Sequence, residues 1–167
     1  MNSVEITLSQ YFMTKFNIIE HAPGAPGLRY LGLGPNLSPQ QGIKKLNRLL
    51  NKNTFWAKNR SKSLLRKMLS KSNVVITAWA NKNLVGFGRA TTDETFRAVL
   101  WDIVVDEDYQ INGIGMEIVN RILKHRLIRK VEKVYLMTTY CQNFYRNNGF
   151  VLSEKQGLMI YRPNINN

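Results

Sequence analysis

Cysteine, acidic residues and long apolar runs are all scarce in this 167-residue sequence. The single cysteine, Cys141, cannot form a disulfide within the chain, which fits a reducing compartment. No apolar run approaches the roughly 20 residues that span a bilayer. The first residues lack the basic start and apolar stretch of a signal peptide, and they are not rich in Ser and Arg. We therefore expect no signal peptide, no cleaved transit peptide and no membrane association.

The scarcity of acidic residues makes the protein strongly basic. Asp and Glu number 11 against 24 Lys and Arg, which gives a net charge of +13 and a pI near 10.1. Such a charge indicates either an anionic partner, such as nucleic acid or the ribosome, or a solvated basic surface with no dedicated partner. The basic residues concentrate in three helix-like stretches (44–48, 58–71 and 124–133) and form no single tract. Charge alone therefore leaves both interpretations open.

The sequence also lacks the spacing of a metal site. Its two histidines, His21 and His125, are far from each other and from Cys141, so no metal-ligand pattern or Ser-His-Asp arrangement is present. We expect both histidines to lie at the surface, His125 near the C-terminal end of a helix. Cys141 is expected to pack against its neighbours.

The apolar content of 44% and three tryptophans are sufficient for a folded core. Periodicity and turn residues predict the order of elements. The first half is predicted to contain a short strand at 28–33, helices after Ser38 and Ser61, and a hairpin of strands 74–80 and 84–92. A strand at 98–105 that is buried on both sides, a polar loop at 106–115 and a long helix follow; the helix is predicted to bury Met116, Val119, Ile122, Leu123 and Leu127. The last predicted elements are a strand at 133–138, a short helix at 142–147 and a final hairpin up to Arg162. This order indicates a mixed α/β sheet with helices on both faces.

The Pro- and Gly-rich segment at 22–27 separates the first residues from the remainder. The stretch before it is too apolar for a free tail. We therefore predict an N-terminal extension over 1–27 that docks on the protein, and a single domain over 28–167.

The most informative segment runs from Ile103 to Gly115, where a buried strand, a turn and a helix N-terminus follow one another. The first amides of a helix lack internal partners and lie at the positive end of its dipole. Gly113 and Gly115 remove the side chains that would keep a phosphate from those amides. The segment is not a P-loop, because no Gly-Lys-Ser/Thr follows, and it lacks the Gly-x-Gly-x-x-Gly spacing of a dinucleotide site. By itself the pattern is compatible with an anion-binding loop or with a tight strand-to-helix turn.

Together with its surroundings, this segment resembles a known family. A hydrophobic-x-hydrophobic strand, four residues and Gln-x-x-Gly-x-Gly resemble the acyl-CoA-binding motif of the GCN5-related N-acetyltransferases, and Phe-Tyr-x-x-x-Gly-Phe at 144–150 resembles their second motif. The resemblance covers 74–162. Residues 84–91, 101–106 and the Phe55-Trp56 pair are similar to the cyanobacterial and plastid, serotonin N-acetyltransferase-like branch. It implies a mixed, mostly antiparallel central sheet flanked by helices on both faces.

The resemblance also implies a binding site for acetyl-CoA. The backbone of Ile103, Val104 and Val105 would pair with the pantetheine arm, and the Ile103 amide would polarise the thioester carbonyl. The pyrophosphate would lie against Gln110, Ile111, Asn112, Gly113, Ile114, Gly115 and Met116. Thr138, Phe144 and Tyr145 would complete the site. Ile111 and Thr138 depart from the residues usual in the family, which affects the shape of the loop and one contact to the pantetheine arm.

Two residues are candidates for proton transfer. By resemblance, the Tyr145 phenol would protonate the leaving thiolate; the alternative is an aromatic ring packed on the sheet with its hydroxyl in water. Asp102 is the one acid in an apolar strand, where a carboxylate needs partners or a function. It is either a base or orienter for the acceptor ammonium, or a structural group, because its strand parity is opposite to that of Ile103.

The function implied is an acetyl-CoA-dependent N-acetyltransferase that transfers acetyl directly to a primary amine in a ternary complex, without a metal or a covalent enzyme intermediate. The acceptor is either an arylalkylamine or polyamine, or a protein lysine or N-terminal amine, and another acyl-CoA donor is also compatible. The alternative is a catalytically degenerate fold that acts as a basic RNA- or ribosome-binding module. We expect a monomer or homodimer in the plastid stroma, if plastid-encoded, or in a cyanobacterial-type cytoplasm.

Overall fold

The structure, a computed structural model, describes residues 16–162 apart from the side chain of Ile111. The chain divides into two compact units, one up to Met137 and one from Thr138. The predicted docking of residues 1–27 falls mostly outside the described residues. Its described end, Phe16–His21, is a strand of the central sheet.

The elements follow one another along the chain in this order. They are β1 (Phe16–His21), a π-helical turn (Gly27–Leu31), a 3-10 turn (Pro35–Leu37), α1 (Gly42–Asn53), α2 (Lys62–Ser70), β2 (Val74–Ala80), β3 (Asn83–Thr92), β4 (Arg97–Val105), a second 3-10 turn (Glu107–Asn112), α3 (Ile114–Lys124), β5 (Lys133–Tyr135) and α4 (Gln142–Asn147). Only α4 belongs to the second unit. No helix among residues 16–162 combines the length and apolar character needed to cross a membrane.

The sheet has the order β1-β2-β3-β4-β5. Strands β1 to β4 are antiparallel neighbours, and β5 is parallel to β4. The predicted hairpin is confirmed, since β2 ends at Ala80 and β3 begins at Asn83. The prediction of a mixed, mostly antiparallel sheet is therefore confirmed.

Helices cover both faces of the sheet, and the residues of β3 point alternately toward the two helical layers. Gly86 and Gly88 point toward α3, where a Cβ added to Gly88 would lie 2.5 Å from Ile118 Cγ2. Glycine is required there because α3 packs directly on the strand backbone. Phe87 points to the other face and joins the core formed by α1 and α2.

The two helices on that second face follow the predicted apolar spacing. Ile43, Leu46, Leu49 and Leu50 of α1 are buried against the sheet. The α2 helix begins as predicted after Ser61, whose hydroxyl accepts a hydrogen bond from the Leu64 amide (3.2 Å).

The predicted strand at 28–33 is wrong, because this segment folds into the π-helical turn. Leu28 is fully buried, and Gly32 at φ 62° ends the turn with its amide bonded to the carbonyls of Gly27 and Leu28. The α1 helix begins at Gly42, later than the Ser38 cap predicted. A Cβ at Gly42 would collide with Leu28 Cδ1, so the turn packs directly on the first residue of α1.

Other expectations also need correction. On β4, Leu100, opposite Ala90, is buried on the α3 side and Val104, opposite Phe87, is buried on the α1–α2 side, with half-buried residues between them, so the strand is not buried on both sides along its length. The α3 helix ends at Lys124, which leaves Leu127 beyond it; Met116 is exposed, and Ile114 and Ile118 are the buried positions at its start. The strand predicted at 133–138 stops at Tyr135, and residues 148–162 contain no strand in place of the final hairpin.

Candidate active site

A β-bulge in β4 lies at the first group of predicted site residues. Trp101 pairs with Arg89 and Val104 pairs with Phe87, so two residues of β4 lie opposite Gly88 alone. The extra residue is Asp102, which adopts φ 51°. The bulge places the Asp102 carboxylate on the α1–α2 side of the sheet, while the Ile103 side chain lies over Gly88 beside α3. The predicted opposite orientation of Asp102 and Ile103 is confirmed.

The second half of β4 extends beyond its neighbour β5. The parallel pairing between these strands covers only Arg97–Val99. Residues 101–105 follow after that pairing ends, and they include the backbone groups predicted to contact a pantetheine arm. A strand edge of this kind can accept an extended ligand as an additional strand.

The glycine-containing segment lies at the end of β4. Gly86 of β3 pairs with Val105 at the end of β4. The Ile114 side chain packs on the face of Gly86, so the start of α3 lies beside the end of β4. Gly113 is the N-cap of α3 at φ 72°, and a Cβ there would meet nothing within 4 Å. The first intrahelical bond runs from the Glu117 amide to the Gly113 carbonyl (3.0 Å). The amides of 114–116 therefore precede the helical ladder and lie at the positive end of the dipole.

The remaining residues of the predicted loop form the second 3-10 turn. Gln110 Nε2 donates to the Val105 carbonyl (3.4 Å), which ties the turn back to β4. The predicted loop contains Ile111, whose side chain is outside the description, and half-buried Asn112. The polar loop expected at 106–115 is therefore mostly a short helical turn.

An ion-pair cluster anchors this turn to α1. Lys52 Nζ lies 2.8 Å from a carboxylate oxygen of Asp106, 3.4 Å from one of Glu107 and 2.8 Å from one of Asp108. Hydrogen bonds to Asp106 and Asp108 raise the pKa of Lys52. Burial raises the pKa of Asp106, but the Lys52 ammonium and the Asp108 amide outweigh it and hold that pKa below its usual value. Lys52 and Asp106 are thus charged at neutral pH.

Asp102 is the most buried acid of the site, with a side chain only 5% exposed. Its Oδ2 accepts from Arg89 Nε (2.8 Å), and its Oδ1 accepts from Arg60 Nη1 (3.3 Å) and Trp56 Nε1 (3.3 Å). Two guanidinium groups therefore neutralise the carboxylate and occupy both of its oxygens. The cluster ties the α1–α2 connection and β3 to the bulge.

We expect Asp102→Asn to destabilise the fold by about 2–4 kcal/mol, because it leaves the largely buried Arg89 without its counter-charge. The matched control is Glu117→Gln, which removes the exposed i,i+4 partner of Arg121 and should change stability by less than about 0.5 kcal/mol. Urea unfolding of both variants measures the difference. Equal, small effects would show that the Asp102 cluster does not hold the bulge in place.

Tyr145 lies on α4 in the second unit. Its ring makes edge-to-face contacts with Phe144 (5.0 Å between centroids) and Phe150 (5.8 Å). Gly149 at φ 84° ends the helix, and the Phe150 amide bonds to the Tyr145 carbonyl (3.0 Å), so the Phe-Tyr-x-x-x-Gly-Phe motif folds the second phenylalanine back onto the tyrosine. Burial, with a smaller contribution from Cys141, raises the pKa of the Tyr145 phenol to about 12.

The same unit carries Thr138 and Cys141. The Thr138 hydroxyl accepts from the Cys141 amide (3.2 Å), just before α4 begins. Cys141 is exposed, so the expectation that it packs against neighbours is wrong. Cys141 is the N-cap of the short helix α4, where a side chain has few neighbours.

Neither histidine lies fully at the surface, where both were expected. His125 ends α3 as expected but is buried, with Nε2 3.3 Å from a Glu20 oxygen. His21 is half-buried in β1, and its Nε2 lies 2.8 Å from the Thr77 hydroxyl; burial lowers its pKa to about 4. Among residues 16–162, no group of three or more His, Cys, Asp and Glu is placed to hold a metal ion.

The first unit brings together the bulged strand, the 3-10 turn and the N-terminus of α3. Sequence reasoning missed Arg60 and Arg89 as partners of Asp102, and Lys52 as the anchor of the turn. The sequence contained a signal for Arg89, which is the single charged residue of β3, while Asp102 is the single acid of β4. Opposite charges on neighbouring strands commonly form an ion pair.

Comparison with known proteins places this arrangement in a family. Residues 71–152 match the family model described as an acetyltransferase (GNAT) domain. That range spans β2 to α4 and contains both predicted motifs.

Two curated relatives and one solved structure illustrate the match. Histone acetyltransferase TAP1 of Glycine max is 35% identical over 86 residues, 50% of this chain and 37% of that protein. The chloroplastic GCN5-related N-acetyltransferase 2 of Arabidopsis thaliana is 37% identical over 70 residues, 41% of this chain and 27% of that protein. The chain thus spans about a third of the length of these relatives. A GNAT-family protein from Xanthomonas campestris superposes with a TM-score of 0.68 over 89% of this chain and 96% of its own, at 17% identity, which establishes likeness of fold.

Proposed function

Residues 71–152 form a GNAT acetyltransferase domain, and on that premise we propose that this chain transfers an acetyl group from acetyl-CoA directly to a primary amine. The observation that carries the proposal is the bulged β4, whose end lies beside the N-terminus of α3. One element offers backbone groups to an extended chain, and the other offers helix amides to a phosphate.

The proposed donor is acetyl-CoA, whose pantetheine amides suit a strand edge and whose pyrophosphate suits a helix N-terminus. Bound there, the donor supplies an acetyl group already activated as a thioester. We assign the pyrophosphate to the 110–116 segment, where Gly113 leaves open space above the first amides of α3. The backbone of residues 103–105 would hold the pantetheine arm, because β4 has no pairing with β5 at those positions.

We assign the thioester carbonyl to the Ile103 amide. A fixed backbone donor stabilises negative charge that develops on that oxygen, without reorganisation during the reaction. The bulge at Asp102 determines where this amide points, since the extra residue changes the direction of the strand. We therefore assign Asp102 a positioning role, supported by its two arginine partners, and not the role of general base.

We assign Tyr145 the role of general acid toward the leaving thiolate. A phenol with a pKa of about 12 is fully protonated at neutral pH, so the proton is available when the thiolate leaves. Its edge-to-face packing against Phe144 and Phe150 fixes the ring.

The charges of the first unit bear on the acceptor. Asp102, beside the exposed Trp56 ring, is neutralised by two arginines, and the 106–108 acids are paired with Lys52. These acids are therefore poor sites for a free polyamine. We propose an arylalkylamine, whose ring would lie against Trp56 and Phe55, with a protein lysine as the second candidate; the relative TAP1 is described as a histone acetyltransferase.

The degenerate, non-catalytic module is not favoured, since both relatives are described as acetyltransferases. We propose the plastid stroma or a cyanobacterial-type cytoplasm as the location, with support from the chloroplastic relative.

The test is acetyl transfer from acetyl-CoA to three acceptors in parallel: an arylethylamine, a linear polyamine and a lysine-containing peptide. Product mass is the required readout, because the exposed Cys141 would react with thiol-detecting reagents. We expect acetylated arylethylamine and initial-rate lines that intersect, as in a ternary complex. Parallel lines would contradict direct transfer, and acetylation of none of the three would contradict the proposed acceptor chemistry.

A further inference from the structure

The net positive charge of the protein arises from one part of the chain. Residues 21–92 contain 13 of the 24 Lys and Arg residues and none of the 11 Asp and Glu residues. Elsewhere, the remaining 11 basic residues equal the 11 acidic ones in number, so residues 21–92 account for the whole net charge of +13. A uniform excess of lysine over the chain would not produce this division.

The fold gathers the helical part of this segment, residues 27–70, on one side of the sheet. The π-helical turn, α1 and α2 pack together over the face that contains Phe87. Their apolar side chains point to the sheet, so their basic side chains form the outer surface. We call this surface the basic face, and it comprises the exposed Lys44, Arg48, Lys58, Lys62, Lys67 and Lys71.

The described acids neutralise little of this segment. Within residues 16–162, carboxylates pair with only three of its 13 cations, namely Lys52, Arg60 and Arg89. None of the six residues of the basic face is among them. Like charges closer to one another than a Debye length of about 8 Å still interact at physiological salt.

The α1 helix contains a pair of like charges at close spacing. Lys44 and Arg48 of α1 are like charges at i,i+4 spacing, which destabilises a helix. Neither α1 nor α2 has an acid in its first turn to offset this. By contrast, α3 has the opposite-charge pair Glu117–Arg121 at the same spacing. An anion bound to the basic face would offset this repulsion.

Exposed aromatic rings accompany these charges. Tyr30 is 73% exposed, with the Arg29 guanidinium 4.5 Å from its ring centre, and Arg66 Nε donates to the Arg29 carbonyl (3.1 Å). Phe55 and Trp56 are exposed too, but the acceptor proposed above would occupy them, so Tyr30 is the ring left for a base. A ring beside cations fits a ligand that has both flat apolar faces and negative charge.

We propose that the basic face binds a single-stranded nucleic acid, in addition to the acetyltransferase site. Phosphates would contact the lysines of α1 and α2, and an unpaired base would stack on Tyr30. An acidic polypeptide would satisfy the charges but would give the ring no stacking partner. This binding requires neither acetyl-CoA nor turnover.

The test compares two triple variants of equal charge. Lys62→Glu/Lys67→Glu/Lys71→Glu alters the basic face, and Lys124→Glu/Lys130→Glu/Lys133→Glu alters exposed lysines outside residues 21–92. Fluorescence anisotropy measures binding of a labelled oligoribonucleotide of about 20 nucleotides over a series of salt concentrations. We expect the first variant to bind on the order of 100-fold more weakly at low salt, with the log–log salt slope reduced by about 2. The second variant should stay within about threefold of the unmodified protein.

A second comparison tests the aromatic contribution. Tyr30→Leu should weaken binding of the oligonucleotide about fivefold or more, and should leave binding of heparin, a polyanion without bases, unchanged. Thermal melts of each variant establish that it is folded. Equal losses in both triple variants, no effect of Tyr30→Leu, or a polyglutamate that competes as well as the oligonucleotide would each overturn the proposal.

Discussion

Tyr145→Phe is expected to lower kcat by about 10²–10⁴-fold while the dissociation constant of acetyl-CoA changes little. The substitution removes one hydroxyl and keeps the ring that packs against Phe144 and Phe150. The leaving thiolate would then lack its proton donor. Binding of the donor depends on the backbone of β4 and α3, which this change does not touch.

The pKa of Tyr145 determines the pH dependence of this role. The functional form is the protonated phenol, and its pKa lies near 12 because burial disfavours the charged phenolate. Tyr145 therefore produces no alkaline loss of activity below about pH 10. Because the folded pKa is raised, its contribution to stability is present below the unfolded pKa of about 10 and is lost as the pH rises toward 12.

The matched control is Tyr140→Phe. Tyr140 belongs to the same unit but is 85% exposed, so the same loss of a hydroxyl should leave kcat within about twofold. Steady-state kinetics with the best acceptor, together with calorimetric titration of acetyl-CoA, separates turnover from binding. Unchanged turnover in Tyr145→Phe would remove this residue from the mechanism.

Gly113→Asp is expected to weaken acetyl-CoA binding on the order of 100-fold. A carboxylate at the N-cap of α3 would lie within a few ångströms of the bound pyrophosphate, where each pair of like charges costs about 3 kcal/mol before salt screening. The free protein should stay folded. A Cβ at this position meets nothing within 4 Å, aspartate tolerates positive φ better than most residues, and negative charge is favourable at a helix N-terminus.

Gly113→Asn separates charge from shape, because asparagine has nearly the same size and also tolerates positive φ. The readout is the rise in melting temperature with acetyl-CoA at fixed salt. We expect a clear rise for the unmodified protein, a reduced rise for Gly113→Asn and almost none for Gly113→Asp. If the asparagine and aspartate variants bind equally, the pyrophosphate lies elsewhere. If the unmodified protein shows no rise, the proposed acetyl-CoA site is wrong.

The local elements of the fold were largely predictable from the sequence. The hairpin at β2–β3 and the start of α2 were predicted because an Asn-Lys turn and a serine cap act through neighbouring residues. The predictions that were wrong concern segments whose structure depends on residues far away in the sequence. The 28–33 segment is apolar enough for a strand but folds into the π-helical turn, with Leu28 packed on Gly42 of α1, and β5 pairs with β4 only up to Tyr135.

For the candidate site, the sequence by itself determined which groups are present: the two glycines at the start of α3, the tyrosine followed by a Gly-Phe turn, and the lone acid in β4. These follow from backbone freedom and local spacing. Only the tertiary structure decided what the lone acid does, since Arg60 and Arg89 reach Asp102 from separate elements and neutralise it within the bulge. Charge sums can be counted along a chain, but whether a buried carboxylate accepts a proton or holds a strand depends on the cations that folding places beside it.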